Sequence, residues 1–397
     1  TQRQVIAASP LALPAMILIL LGAFTKSAQM PFHIWLPRAM AAPTPVSAYL
    51  HSATMVKAGL FLMARLWPIF AGTEAWFYIV ASTGLVTMVY AAVVALFKDD
   101  LKAILAYSTI SHLGLITFLL GCGTKAAATA AVFHIICHAS FKAALFMAAG
   151  IVDHAMHTRD IRNLGGLRNM MPMTFVLTFV ATLSMAGLPP FNGFLSKEMA
   201  LEVAAQTGWM GNAWLVPILV TLGALASVGY SFRFLAHGFL GAPRGAVDGQ
   251  DPSIGLWTAP AVLVVLVVAI GIAPMALTGW LVNAASSAVV GQGVTTKIVH
   301  WHGLDSPALW MSVFAILGGL LIMDQYLGLR RLWDHVPHRD AKRDFDRILA
   351  MFAALGRGDM ALVPAIVLAI VTLVGLSAYV LGPMPALRPM TAPNIPA

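Results

Sequence analysis

AAATAAVFHIICHASFKAALFMAAGIVD, residues 126–153, decides what kind of chain this is. The run carries a single lysine and closes on a single aspartate. As a helix rising about 1.5 Å per residue it is long enough to cross about 30 Å of hydrocarbon. Nine further apolar runs flank it, at 10–36, 43–69, 75–97, 101–121, 172–206, 213–236, 256–283, 306–327 and 361–382. The 397 residues are 59% hydrophobic and 10% charged, with a mean hydropathy of +0.82. A water-soluble core is excluded, because soluble domains carry about a quarter charged residues. A β-barrel would need ten-residue alternating segments, and these runs do not alternate. The expected fold is an all-α, polytopic transmembrane bundle of about ten spans embedded in a lipid bilayer.

Two spans read as broken helices. Pro31 and Pro37 interrupt the first, and Gly187-Leu188-Pro189-Pro190-Phe191-Asn192-Gly193 divides the run at 172–206. Proline removes a backbone donor and clashes one turn back, so carbonyls are freed at membrane depth. Lipid cannot satisfy them, and such breaks must be buried in protein or line a wet cavity.

The formal net charge of +8 is mostly a topology signal. Alternate connections hold 15 basic residues, from Arg38, Lys98 and Lys102 through Arg159, Arg233 and Arg244 to the group Arg330–Arg357, against five on the other side. The positive-inside rule puts the richer side in the cytoplasm and both chain ends outside. Nucleic-acid binding is not supported. Residues 338–356 place Phe345, Ile348, Leu349, Phe352 and Leu355 on one stripe, as in an interfacial amphipathic helix. The organisation expected is a core over 1–327, a cytoplasmic connector over 328–360, and a further span and tail over 361–397. The opening TQRQVIAASP has neither methionine nor signal-peptide pattern and reads as the interior of a longer polypeptide.

Four lysines, Lys26, Lys57, Lys142 and Lys197, fall inside apolar spans, together with His51, His134 and His138. A lysine at the bilayer centre costs about 3 kcal/mol on insertion scales, so such residues point to function. Snorkelling to a headgroup fits Lys102 but fits Lys26 and Lys142 poorly. His134, His138 and Lys142 follow at i, i+4 and i+8 and stack along one helix face, which suits a hydrated proton path. His-x₃-His could be half a metal site, but no carboxylate set accompanies it and Cys137 points off that face. Lys57 lies about 240° around a helix from His51, so the two share no face. Lys197 and Glu198 sit just beyond the second break, where free carbonyls and helix dipoles give a cation a polar place to reside. Glu198 and His112 are secondary candidates. Cys122 and Cys137 exclude a disulfide framework and a Cys-based cluster, and no flavin, nucleotide or iron–sulfur motif is present, so no cofactor is expected.

The stretches GAFTKSAQMPFHIWLP from Gly22, APTPVSAYLHSATMVKAG from Ala42, KDDLKAILAYSTISHLG from Lys98, FHIICHASFKAALFM from Phe133 and MAGLPPFNGFLSKE ending at Glu198 together resemble the antiporter-like family. That family holds the large subunits of Mrp-type multisubunit Na⁺/H⁺ antiporters and the proton-pumping membrane subunits of respiratory complex I. The resemblance covers roughly residues 15–200, and the tail to 382 looks like that of the large A-type subunits of the Mrp branch. It implies that Lys26 is the lysine of the first broken helix, paired in the family with a glutamate that would precede Thr1. It further implies that His51 belongs to the next helix, that Lys102, His134, His138 and Lys142 form the central relay, and that Lys197 is the terminal lysine. Lys57 favours the Mrp branch, and 338–356, at about 28 Å, is too short for the lateral helix of the distal complex I subunit. The function expected is that of a non-enzymatic component of a Na⁺/H⁺ antiporter in the bacterial cytoplasmic membrane, with other membrane subunits as partners and Na⁺ and H⁺ as cargo. The alternative is a proton-pumping subunit of an NADH-quinone oxidoreductase.

Overall fold

The computed structural model describes residues 2–52, 54–245, 249–300 and 303–335. Among them the chain is helical, with two isolated β-bridges as its sole extended pairings. The principal helices are α1 (Ala12–Lys26), α2 (Thr44–Ser52), α3 (Ala58–Phe70), α4 (Glu74–Leu96), α5 (Leu101–Gly121), α6 (Lys125–Met156), α7 (Pro172–Ala186) and α8 (Asn192–Ala205). They continue with α9 (Leu215–Phe239), α10 (Ile254–Ile272), α11 (Pro274–Val290), α12 (Pro307–Asp324) and α13 (Tyr326–His335). Seven helices among the described residues are long and apolar enough to span a membrane, counting Thr44–Phe70 as one. The expected interfacial helix at 338–356 and the span at 361–382 lie outside the described residues.

Both expected interruptions are present. The first span stops at Lys26 and resumes, after Pro31, as the short turns Phe32–Ile34 and Trp35–Arg38. The second is cut between α7 and α8. Two more runs that read as continuous are also divided. The run 256–283 is two helices, because the residue before a proline is pushed out of the α region: Ala273 has φ −131° and ψ 61°, and Pro274 opens α11. The run 43–69 gives way after Ser52, and the turn Met55–Lys57 leads into α3. Its HSAT segment supplies hydroxyls that compete for backbone carbonyls, as in the bond from Thr54 Oγ1 to Tyr49 O at 3.2 Å.

The helix with the decisive sequence, α6, is the hub. It starts on a Thr124 cap, whose Oγ1 accepts from Ala127 N at 3.1 Å, and it packs against α2, α5, α7, α8, α10 and α11. A helix packed on six others is largely shielded from lipid, which is why polar side chains can occupy its length. The most closely packed pair is α4 with α5. A Cβ on Gly84 would lie 2.7 Å from Gly114 O, and one on Gly114 would lie 2.5 Å from Met88 N. Small residues let the two backbones touch, and Ser111 donates to Met88 O at 2.9 Å across that contact.

One end of the bundle collects the basic connections. Arg233 donates to Lys98 O and to the Asp99 carboxylate. Arg330 reaches Phe97 O at 2.8 Å and Asp99 at 3.3 Å. Arg159 pairs with Asp100 at 3.0 Å, and Arg244 donates to Leu164 O at 2.6 Å. Arg162 forks onto Asp160 and holds that carboxyl below the usual carboxylate range.

Gly114→Val should break the α4–α5 contact and destabilise the fold by about 1–3 kcal/mol through overpacking. The purified membrane protein should unfold at lower temperature, and an unchanged melting curve would contradict the close approach.

Candidate functional site

The break between α7 and α8 organises the site. Gly187 adopts φ +87°, and its N–H returns to Leu183 O at 3.0 Å, closing α7 with a left-handed residue. The open backbone is then held by side chains. Gly193 N donates to Ser184 Oγ at 3.1 Å, Ser184 Oγ to Asn192 Oδ1 at 2.8 Å, and Asn192 Nδ2 to Ser140 Oγ on α6 at 3.0 Å. Lys197, on the first turns of α8, turns back and donates to Ala186 O at 3.0 Å, placing its ammonium on the negative end of α7. A Cβ on Gly187 would lie 2.6 Å from Lys197 Cδ, so the glycine makes room for that lysine.

From Lys197 a continuous set of hydrogen bonds runs through four helices. Lys197 Nζ donates to Ser227 Oγ at 2.9 Å, and Ser227 donates to Tyr230 OH at 2.9 Å. Tyr230 OH meets His112 Nε2 at 3.3 Å, His112 Nδ1 meets His134 Nε2 at 2.9 Å, and His134 Nδ1 meets Ser196 Oγ at 2.9 Å. Ser196 Oγ donates to Gly193 O at 3.2 Å. With both imidazoles protonated on Nδ1, every donor in the set points the same way, starting and ending on α8. His112, His134, Tyr230 and Ser196 are fully or almost fully buried. A cavity of about 30 Å³ bordered by His112, Lys197 and Ser227 has room for about one or two water molecules.

The remaining face of α6 continues the cluster. The rings of His138 and His112 lie 5.2 Å apart, and those of His138 and His134 lie 6.2 Å apart. Lys142, with no exposed surface, donates to Ser108 Oγ and lies 3.2 Å from Met185 Sδ. One turn on, Phe146 packs on His51 with ring centroids 4.7 Å apart. Both ring nitrogens of His51 and of His138 are buried without a hydrogen-bond partner among the described residues. Steps of four residues advance about 40° around a helix. The stripe His134–His138–Lys142–Phe146 therefore winds from α5 and α8 at its inner end toward α2.

The other expected residues lie at the edge of the cluster, as Lys57 does beside His134, or apart from it. Lys57 sits at the α2–α3 break, not on a continuous helix, and donates to Ser52 O and, at 3.2 Å, to Ile135 O on α6. Lys26 ends α1 and is exposed. Lys102 belongs to the basic end, where it pairs with Asp153 at 3.7 Å, and among the described residues no hydrogen bond joins it to the histidines. Glu198 is buried and accepts from Ser312 Oγ on α12 at 2.9 Å, an anchor for that helix. Among the described residues, no three His, Cys, Asp or Glu are arranged to hold a metal ion. His112, a secondary candidate by sequence, is the hub of the cluster. Tyr230, Ser227 and Ser196 carry no sequence signal at all, because a hydroxyl in an apolar helix is too common to single out.

Residues 2–225 match the family model described as NADH:quinone oxidoreductase/Mrp antiporter, transmembrane. The chain is 50% identical over 325 residues to a probable K⁺/H⁺ antiporter A/B subunit of Rhizobium meliloti, covering 80% of this chain and 32% of that protein. It is 46% identical over 341 residues to a Na⁺/H⁺ antiporter A1 subunit of Staphylococcus aureus, covering 79% of this chain and 42% of that one. It thus spans less than half the length of these relatives. Among solved structures it is similar to a chain of the Mrp complex from Dietzia sp. DQ12-45-1b, with a TM-score of 0.79 and 36% identity over 95% of this chain and 42% of that chain. It is also similar to a chain of the membrane-bound sulfane sulfur reductase, an archaeal respiratory membrane complex, with a TM-score of 0.63 and 29% identity over 71% of this chain and 57% of that one.

Gly187→Ala places a side chain at a left-handed φ and against Lys197, a strain of about 1–3 kcal/mol. It should impair whatever Lys197 does more than it lowers the melting temperature. Gly187→Asn, which tolerates the left-handed φ better but carries the same Cβ, should be as impaired in transport as Gly187→Ala, and parental transport in Gly187→Asn would remove the collision with Lys197 as the cause.

Proposed function

The chain belongs to the NADH:quinone oxidoreductase/Mrp antiporter transmembrane family, and on that premise we propose that it is part of a membrane component of a multisubunit monovalent cation/proton antiporter, with Na⁺ as the exchanged cation. Protons move along its buried lysines and histidines. The observation that carries this reading is the unbroken hydrogen-bond set from Lys197 through Ser227, Tyr230, His112 and His134 to Ser196. Lys197 donates at the start of the set, and from Ser227 to Ser196 each member both accepts and donates, which is the requirement for passing a proton without moving heavy atoms far.

Electrostatics supplies the drive. Lys142, Lys197 and the three imidazoles share a site closed to bulk water, so a proton added to one raises the free energy of a charge on its neighbours. The ammonium of Lys197 is held by Ala186 O at a helix end and by a hydroxyl, with no carboxylate bonded to it among the described residues, so its charge can be given up to the Tyr230–His112 side. Lys26, outside the cluster, suits the role the family gives it, a charge that answers to a glutamate on another helix. The basic end of the bundle faces the cytoplasm in this reading, following the positive-inside rule. The partners are the other membrane subunits of the complex, and the chain itself catalyses no covalent reaction. The second reading, a proton-pumping subunit of a redox complex, is favoured by the similarity to the sulfane sulfur reductase complex.

Two experiments separate these. In everted vesicles carrying the whole complex, Lys142→Ala and Lys197→Ala should each lower Na⁺-dependent dissipation of ΔpH by about 10²-fold or more, as for loss of a group that carries the proton. Tyr230→Phe should lower it by at least about tenfold while leaving assembly intact, because it removes the hydroxyl between Ser227 and His112. Normal exchange in all three variants would end the relay reading. Loss of NADH-driven pumping with no effect on Na⁺ exchange would favour the redox complex.

A further inference from the structure

A second polar region lies at the basic end, separate from the histidine cluster. A cavity of about 700 Å³ opens there between the start of α2, the start of α5 and the end of α6. Its charged walls are Lys102, Asp153 and Arg159, and the exposed imidazoles of His154 and His157 stand at its rim. One oxygen, Asp153 Oδ2, is shared by two cations, Lys102 Nζ at 3.7 Å and Arg159 Nη1 at 3.9 Å. The two cations are not equivalent. Arg159 has a second, closer carboxylate in Asp100 at 3.0 Å, whereas Asp153 is the one carboxylate paired with Lys102 among the described ion pairs. Lys102 is 3% exposed and Asp153 is 34% exposed, so the carboxylate meets water and the amine behind it does not. On its inner side Lys102 Nζ lies 3.4 Å from Ala42 O, in the segment that leads into α2.

The floor of the cavity is the seam between α2 and α6. Thr44 sits directly over Gly150, where a Cβ would have no room. One turn inward on α6, His51 of α2 packs on Phe146, and Lys142 follows one turn further. The same face of α6 continues at four-residue steps through Phe146 and Gly150 to this opening, with the unpartnered ring nitrogens of His51 beside Phe146.

We infer that this cavity is the mouth through which the relay exchanges protons with the basic-side aqueous phase, and that Asp153 gates it as the exchangeable counter-ion of Lys102. This rests on the relay proposed above and names its entrance. Asp153 takes a proton from hydronium, and its negative charge is lost. The Lys102 ammonium, deprived of its counter-ion and held near Arg159, releases its proton inward along the α2–α6 seam to the imidazole of His51, whose ring nitrogens have no hydrogen-bond partner among the described residues. The proton on Asp153 then passes to the Lys102 amine and the ion pair is restored, so one proton has entered as far as His51 while Lys102 and Asp153 have returned to their starting charges. Arg159, Asp100, His154 and His157 are the other titratable or charged groups facing this pair, and Arg159 keeps Asp100 throughout.

The test uses the whole complex in everted vesicles, whose outer medium bathes the basic face. Asp153→Asn should cut exchange about tenfold and flatten its dependence on external pH, and Asp153→Glu should restore both. His154→Cys should react from that side with a membrane-impermeant cationic thiol reagent and lose exchange on labelling, and labelling should be absent in right-side-out vesicles. A pH profile of Asp153→Asn that superimposes on the parent, or full exchange after complete labelling of the His154→Cys protein, would overturn the assignment. If Asp153→Asn fails to assemble, Asp153→Glu and the labelled His154→Cys protein decide. Lys142→Ala distinguishes the two levels of failure: loss of exchange there with a silent Asp153→Asn removes the mouth alone, and normal exchange in both removes the relay itself.

Discussion

Everything in this bundle follows from one constraint, that a backbone polar group surrounded by hydrocarbon must find its partner inside the protein. Each interruption of a span frees carbonyls and N–H groups, and each is answered locally. At the α7–α8 break Ser184, Asn192 and Ser140 form a clasp that ties the gap to α6, and Lys197 covers the last carbonyl of α7. At the α2–α3 break Lys57 does the same for Ser52 O. The cost of breaking a helix at depth is offset by placing an amine there, and that brings ionisable groups to positions a continuous helix would have closed off.

The second consequence concerns burial. A helix flanked by six others can carry imidazoles and an amine because its surroundings are protein, and its polar groups bond to hydroxyls from α5 and α8. The close backbone approach of Gly84 and Gly114 brings α4 against α5 and fixes where His112 stands relative to α6. The packing and the polar set are therefore one structure: altering the first displaces the second. Proton movement, in the reading proposed here, needs both the connected donors of the interior and an opening at the basic end where a carboxylate meets water.

Particular residues show why some of this is legible in advance and some is not. The prolines at 31, 189 and 190 announce two breaks because proline's missing donor is a local fact. Pro274 is equally visible in the sequence, yet the apolar composition continues on both sides of it and hides the break. The break that precedes Met55–Lys57 carries no proline and depends on hydroxyl competition with the backbone, which is weaker. Spacing places His134, His138 and Lys142 on one face because helical periodicity is local too. Lys102, whose sequence position already suits a place near a headgroup, lies with Asp153 at the basic end, apart from the relay that the family resemblance implied for it.

By itself, the sequence determined the all-helical membrane class, the positions of two broken spans, the segregation of basic connections to alternate loops and the set of ionisable residues inside apolar runs. These depend on composition and on repeats of a few residues, which a chain carries without folding. Only the tertiary structure decided which ionisable groups meet. That His112 bridges Tyr230 and His134, and that Lys197 reaches Ser227, are contacts between different helices across 22 to 118 positions of sequence. That Lys102 of α5 comes to rest against Asp153 of α6 is another. The crossing and rotation of packed helices set those distances, and no local pattern encodes them.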